Sequence, residues 1–261
     1  MYHHVGNKKG LVTLSPDIFR RQMKWLANSG WKTLSGADLE YFYLGGELPR
    51  KSVMITFDDG YLDNWLEAFP VLKEFNLKAH IFLITGLIGG GPVRQYTAHE
   101  KSHRDCVKAI VEGKADSVML RWSEVREMFK SGLVEFHSHT HNHLRIDQMD
   151  KASLIQQDLL IKDLAKSREC LEKHLGFCSR HLCWPEGYYT RDYIRTAVSQ
   201  NFDFFYTTER RMNNTKNGTL RIGRISTKER ESTAWLKFRL FCYVTPVFST
   251  LLALHKGPRL T

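Results

Sequence analysis

The chain is predicted to fold as an α/β domain around a parallel sheet or barrel, and two observations carry that prediction. Short apolar runs of strand character alternate with helical stripes at least four times along its 261 residues, the order from which parallel sheets are built. Two of those runs end abruptly in charged or imidazole side chains, and α/β folds place their sites at the C-terminal ends of strands. The length suits one large α/β domain or two small ones, and 42% hydrophobic with 12% aromatic residues supplies a sizeable core.

Ser15-Pro16 starts the first helix, serine as N-cap and proline at the first helical position. Phe19, Met23 and Leu26 follow at helical spacing and Gly30 closes the segment. Val53 to Phe57 is a strand leading into Asp58, Asp59 and Gly60. Trp65, Phe69, Leu72 and Phe75 mark the next helix, and Ala79 to Ile84 the next strand. Residues 86–117, with Gly89-Gly90-Gly91-Pro92 and weak periodicity, are expected to form a loop insertion above the sheet, placed to act as a lid. Ser123 caps a helix carrying Val125, Met128 and Phe129 that Gly132 ends; Leu133 to Phe136 is a strand. Leu160, Leu164, Leu171 and Leu175 line a long helix stopped at Gly176. Leu182 to Trp184 is a short strand before Pro185, residues 190–200 a helix, and Phe204 to Thr207 a strand.

Residues 1–227 are thus expected to form the domain, and residues 228–261 a separate apolar and basic segment. Within the latter, residues 240–254 carry no charge, are interrupted by Pro246, and are flanked by Lys237, Arg239, Lys256 and Arg259. The run falls short of the ~20 apolar residues a membrane-spanning helix needs. Two readings stand: a last core helix of the domain, or a segment lying in a membrane interface with its basic flanks on lipid phosphates.

The chemistry concentrates in two places. Asp58 and Asp59 leave one strand end together, and adjacent strand residues point to opposite faces, so one carboxylate is expected to hold a metal while the other handles a proton. Residues 135–143 read Glu-Phe-His-Ser-His-Thr-His-Asn-His, four histidines at alternate positions after a strand. Imidazole with carboxylate is a common transition-metal ligand set. Two registers compete, His137 with His141 or His139 with His143, each spaced for one helical turn at the strand's end.

With 38 Lys+Arg against 28 Asp+Glu the formal charge is +10, which favours anionic partners. No recognition-helix motif or aromatic–basic interleaving accompanies it, so nucleic acid is excluded. Five cysteines without a C-x-x-C pair argue against a disulfide framework or a structural zinc site.

These motifs resemble the polysaccharide deacetylase family, the carbohydrate esterases with the NodB homology domain. Thr56-Phe57-Asp58-Asp59-Gly60 is similar to the family's first motif, and Ser138-His139-Thr140-His141-Asn142-His143 to its second. Trp184-Pro185-Glu186-Gly187-Tyr188 resembles the third, a turn lining the substrate groove. The opening Tyr2-His3-His4-Val5 and Gly132-Leu133-Val134-Glu135 are also similar, and the resemblance covers about residues 1–227. It implies a single distorted (β/α) barrel of the NodB type binding one divalent metal ion, zinc first, with nickel, cobalt or manganese as alternatives. Asp59, His139 and His143 are the implied ligands and Asp58 the general base. Trp184, Pro185, Gly187 and Tyr188 are implied to bind substrate, a backbone N–H near Tyr188 serving the oxyanion.

Two departures stand out. The family's arginine before the third motif is replaced by Cys183, with Arg180 three residues earlier, and the late Leu-x-His motif that supplies an acid is missing from Leu220-Arg221-Ile222-Gly223-Arg224. His181, His80 and Glu186 are the candidate acids. His3 and His4 are placed at the end of the first strand, lining the site or serving structure. Arg221 and Arg224 are read as a solvated basic face or a phosphate contact.

The expected activity is metal-dependent removal of an N-acetyl group from an amino sugar, either in a glycan or lipid-linked through polyprenyl phosphate. A catalytically weak glycan- or lipid-binding member of the fold, and a deacetylase of an exported polysaccharide, are the alternatives. Met1-Tyr2-His3-His4-Val5-Gly6 lacks the basic and apolar regions of a signal peptide. The expected location is cytoplasmic, peripheral on the inner membrane face, unless the true start lies upstream.

Overall fold

The computed structural model describes residues 1–95, 101–149, 153–227, 232–245 and Phe248. Two short strands, β1 (His4–Val5) and β2 (Thr13–Leu14), pair in parallel and lead into α1 (Pro16–Asn28). Ser15 caps α1 by accepting from the Ile18 N–H, with Pro16 at the first position as the sequence predicts. A second parallel pair, β3 (Lys32–Thr33) and β4 (Ser52–Val53), brackets α2 (Gly36–Tyr43).

Then comes the alternation that builds the barrel: β5 (Thr56–Asp59), α3 (Phe69–Phe75), β6 (Ala79–Leu83), α4 (His103–Val111), α5 (Trp122–Lys130), β7 (Val134–Ser138), α6 (Ser153–Leu175), β8 (His181–Cys183), α7 (Arg191–Ser199) and β9 (Phe204–Tyr206). A final helix, α8 (Thr233–Val244), follows. The five strands pair in parallel in the order β5-β6-β7-β8-β9.

Extended segments from both ends of the chain continue the sheet past its edges. Tyr2 bridges Phe57 in parallel and Ile222 bridges Tyr206. The two additions meet where the Thr227 N–H donates to the Met1 carbonyl at 3.0 Å. Backbone pairing therefore runs round a closed, uneven ring, which is the distortion of the barrel. It also brings residues 2–4 and 222–224 beside the end of β5.

Alternation along the strands sorts the side chains. Phe57, Ile81, Leu83 and Phe136 join Phe19, Met23, Leu72, Val125 and Met128 in the core beneath the helices. Truncating a ring such as Phe136 there would cost about 3–5 kcal/mol. Asp58, Phe82, His137, His139, Cys183 and Tyr206 occupy the opposite parity and the interior, where Leu39 of α2 packs against Phe82, Cys183, Phe204 and Tyr206.

Two expectations need correction. The segment expected as a loop over residues 86–117 contains α4, started by a capping box in which Ser102 and Asp105 satisfy each other's backbone N–H. Cys106 and Ala109 of α4 pack with Tyr61, Val118 and Met119, so this part is folded onto the domain. Its residues 96–100 lie outside the described residues. The helix expected from Trp65 begins as a π-helical turn, Asn64–Ala68, in which the Phe69 N–H reaches back to the Asn64 carbonyl. Pro70 has no N–H to continue the tighter ladder.

Of the C-terminal segment, α8 buries Leu236 and Leu240 in the main core and exposes Phe238 and Phe241. Most of the apolar run beyond Thr245 lies outside the described residues. No helix among the described residues is long and apolar enough to cross a membrane. None of the five cysteines is in a disulfide.

Candidate active site

Strand β5 delivers both aspartates, but not in regular strand geometry. Asp59 adopts φ +75° and Gly60 φ +85°, a left-handed kink that swings the second carboxylate back towards the first. A side chain at Gly60 would also strike Leu83 Cδ2 at 2.6 Å, so glycine is required there. Strain of this kind, of order 1–3 kcal/mol per non-glycine residue, concentrates at functional sites.

The histidines come from β7 and the turn after it. Of the two registers, the structure selects His139 and His143: their Nε2 atoms lie 3.4 and 3.8 Å from Asp59 Oδ1. The intervening residues form a left-handed turn rather than the expected helical turn, with positive φ at Thr140 and His143. Asp163 on α6 holds this turn. Buried, it accepts from the His141 N–H at 2.8 Å, the Asn142 N–H at 3.0 Å and the Asn142 side-chain amide at 2.7 Å. Thr140 Oγ1 accepts the His143 N–H at 3.0 Å. His141 turns away to Thr85 Oγ1, and His137 lies deeper in the barrel.

Asp58 makes a different set of contacts. Arg224 donates to its two oxygens at 2.6 and 2.8 Å, a buried bidentate ion pair. The same guanidinium donates to the Thr207 carbonyl and lies 3.1 Å from Cys183 Sγ. This corrects the reading of Arg224 as a solvated basic residue, and it supplies from residue 224 the arginine missing before Pro185. Burial pushes the Asp58 carboxyl up, but the charges of Arg224, His139 and His3 outweigh it and bring its pKa down to about 2. Asp58 is therefore ionised and oriented.

The acids expected from sequence are not at the aspartates. His80 bonds to the Leu34 carbonyl and His137, and His181 to Tyr206 and Glu40, all at the N-terminal ends of the strands. Glu186 pairs with Arg145 at the surface. Besides His139 and His143, an imidazole beside the aspartates is that of His3, with Nε2 4.0 Å from Asp58 Oδ2. Pairing of Tyr2 along β5 places it there. His4 faces elsewhere, bonded to Asp63 at 2.6 Å and stacked on Tyr61.

The third motif splits. Trp184 is buried, stacked on Phe205 in the outer core, so it anchors the turn and does not face a sugar. The Pro185–Gly187 turn is tight: Gly187 has φ +77° and a Cβ there would meet Thr208 Oγ1 at 2.4 Å. The Gly187 and Tyr188 N–H groups close the turn onto the Trp184 and Pro185 carbonyls, so the oxyanion donor expected at Tyr188 is already bonded. Tyr188 is 46% exposed, with Arg145 packed 3.6 Å from its ring centroid on one side.

Asp59, His139 and His143 fit a divalent cation. One donor atom from each lies within 4.8 Å of the others. His139 Nδ1–H donates to the Cys183 carbonyl at 2.8 Å, which fixes the ring and turns Nε2 towards Asp59. Burial opposes a charge on His139, yet Cys183 and Asp59 outweigh it and lift its pKa well above the usual imidazole range; the pocket attracts positive charge. Burial likewise pushes Asp59 up, but its hydrogen bond to His139 and the neighbouring imidazoles bring it far down. The His139 side chain is 3% exposed and that of His143 27%, so the cluster is walled on one side and open on the other, as a site that admits a substrate must be.

A family model for polysaccharide deacetylases matches residues 45–205. The poly-beta-1,6-N-acetyl-D-glucosamine N-deacetylase of Staphylococcus aureus (strain MRSA252) is 28% identical over 199 residues, 76% of this chain and 61% of the relative. The chain thus spans about three-fifths of that relative's length. Among solved structures, the Streptococcus pyogenes deacetylase PplD in complex with acetate superimposes with a TM-score of 0.75 at 23% identity, over 92% of this chain and 96% of that one. IcaB from Ammonifex degensii does so with a TM-score of 0.71 at 25% identity, over 92% and 94%. The matched span holds Asp58, Asp59, His139 and His143 while His3 and Arg224 lie outside it, and the chain belongs to the polysaccharide deacetylase family.

Proposed function

We propose that this protein is a metal-dependent N-deacetylase acting on an N-acetylated amino sugar within a glycan. The observation that carries the reading is the division of the Asp58-Asp59 pair, one carboxylate held by an arginine and the other aimed at two imidazoles. That arrangement separates proton handling from metal binding within one site.

Asp59, His139 and His143 would hold the cation, zinc being favoured by a ligand set of two nitrogens and one oxygen. A divalent ion there would polarise an amide carbonyl and acidify water. Asp58 accepts the proton of the attacking water, and Arg224 keeps it ionised and aimed. His3 lies on the same side as Asp58; burial lowers its pKa, so it is neutral at rest, takes up the proton that Asp58 removed from water and passes it to the nitrogen as the C–N bond breaks, and acetate and a free amine leave. Tyr188 offers an exposed ring face on which a sugar can stack.

The S. aureus relative supports a polymer of N-acetylglucosamine as the first substrate to try; a polyprenyl-linked sugar is the second. Acetate release from both, by metal-loaded full-length protein, is the test. Release from neither, by protein of confirmed metal content, would leave glycan binding as the remaining role of the fold.

A further inference from the structure

The active site uses His139 and His143 and leaves His137 unexplained. Two residues before His139 on β7, it shares the interior face one layer nearer the strands' N-terminal ends. There the barrel interior is polar. His80 Nδ1 lies 2.9 Å from His137 Nε2 and 3.8 Å from Glu135 Oε2, and the three donor atoms fall within 4.8 Å of one another. We propose that His80, His137 and Glu135 form a second divalent-metal site, separate from the catalytic one.

The outer atoms are arranged as a ligand set requires. His80 Nε2 lies 2.7 Å from the Leu34 carbonyl, which can only accept, so Nε2 carries the proton and Nδ1 presents its lone pair inward. His137 Nδ1 lies 2.7 Å from Ser179 Oγ, which orients the ring with Nε2 inward. The Gly36 N–H donates to Glu135 Oε2 at 3.0 Å. His181 stays outside the set because Tyr206 and Glu40 engage both its nitrogens.

The site borders a cavity of about 520 Å³ lined by Glu135, His137, Ser179, His181, Glu40 and Arg180, with His80 buried behind them. Two imidazoles and a carboxylate suit zinc and its borderline neighbours cobalt and nickel. An ion here would tie β6 to β7, and through Gly36 to α2, one layer down the barrel from His139.

The competing explanation is a hydrogen bond from His137 Nε2–H to His80 Nδ1 with no ion. Metal counting separates the two. Metal-depleted full-length protein is titrated with Zn(II) and the bound ion counted by mass spectrometry of the desalted sample. Wild type is expected to bind two ions per chain, Asp59→Asn one, His80→Gln one with acetate release retained, and Asp59→Asn/His80→Gln none. Co(II) bound to Asp59→Asn is expected to give a visible absorption band that His80→Gln abolishes. Should His80→Gln fail to fold, Glu135→Gln, at the cavity rim, replaces it with the same expected loss of one ion. Saturation of wild type at one ion, together with none on Asp59→Asn, would overturn the proposal. So would two ions on His80→Gln.

Discussion

Arg224→Met removes one partner of a buried ion pair and strips Asp58 of its bidentate countercharge. In the folded protein two charge-assisted hydrogen bonds, of 2.6 and 2.8 Å, join these side chains. Each is worth about 1.5–3 kcal/mol, and breaking a buried pair from one side costs about 3–5 kcal/mol, so the two routes agree. Against a total stability of about 5–15 kcal/mol, the urea midpoint should fall sharply. The loss should be smaller in an Asp58→Asn background, where no charge is left stranded. A four-member cycle measured by urea unfolding is expected to give a coupling energy of at least about 1.5 kcal/mol. Asp58 titrates at about 2 in the folded state against about 3.9 unfolded. Its contribution is present in full above pH ~4 and is lost as pH falls through about 2, and Arg224→Met should flatten that dependence. Acetate release should fall with it, because Asp58 loses both its charge stabilisation and its aim. A variant within about 0.5 kcal/mol of wild type, additive with Asp58→Asn, would refute the claim that Arg224 holds the base.

His3→Gln should lower kcat by ~10²–10⁴-fold with metal content and thermal midpoint unchanged; a kcat near that of wild type would move the acid elsewhere. Asp163→Asn removes the acceptor that shapes the His141–His143 turn and should weaken catalytic-site zinc binding by ~10–100-fold, read by competition with a chromophoric chelator. Gly187→Ala places a methyl against Thr208 at φ +77° and should cost about 1–3 kcal/mol, seen as a lower urea midpoint. Tyr188→Ala should raise KM for a glycan with kcat little changed, since the ring stacks and does not react.

The five strands of the main sheet and the helices between them, α4 apart, were legible because apolar period and capping residues agree at each: Ser15-Pro16 and Gly30 bracket a helix that the structure places at Pro16–Asn28; the two-residue strands β2 and β3 and the short α2 were not read. The Asp58-Asp59 pair and the His139/His143 register, which the structure brings together, were legible as motifs. What was not legible depends on barrel closure. Arg224 meets Asp58 across 166 residues because the segment after β9 pairs with its edge, and His3 reaches the site because Tyr2 pairs with β5. No local pattern encodes the first, and the second was legible only as His3 and His4 together, lining the site or serving structure. Asp163 sits mid-helix and looks like any polar surface residue until the turn it supports is seen. Two readings could have been better made from sequence. Ser102 and Asp105 are a visible capping box inside the supposed loop. Trp184 shares its strand parity with Leu182, which already assigned its ring to the outer core.

The central claim is that Asp59 binds the ion and Asp58 moves the proton. Acetate release from an N-acetylglucosamine oligomer, measured alongside the occupancy of the catalytic metal site, tests it directly. Wild type should lose activity on chelation and regain it with Zn(II). Asp58→Asn should keep the catalytic ion and release no acetate, and Asp59→Asn should lose both. Full activity of Asp58→Asn, or of wild type stripped of all metal, would contradict the account.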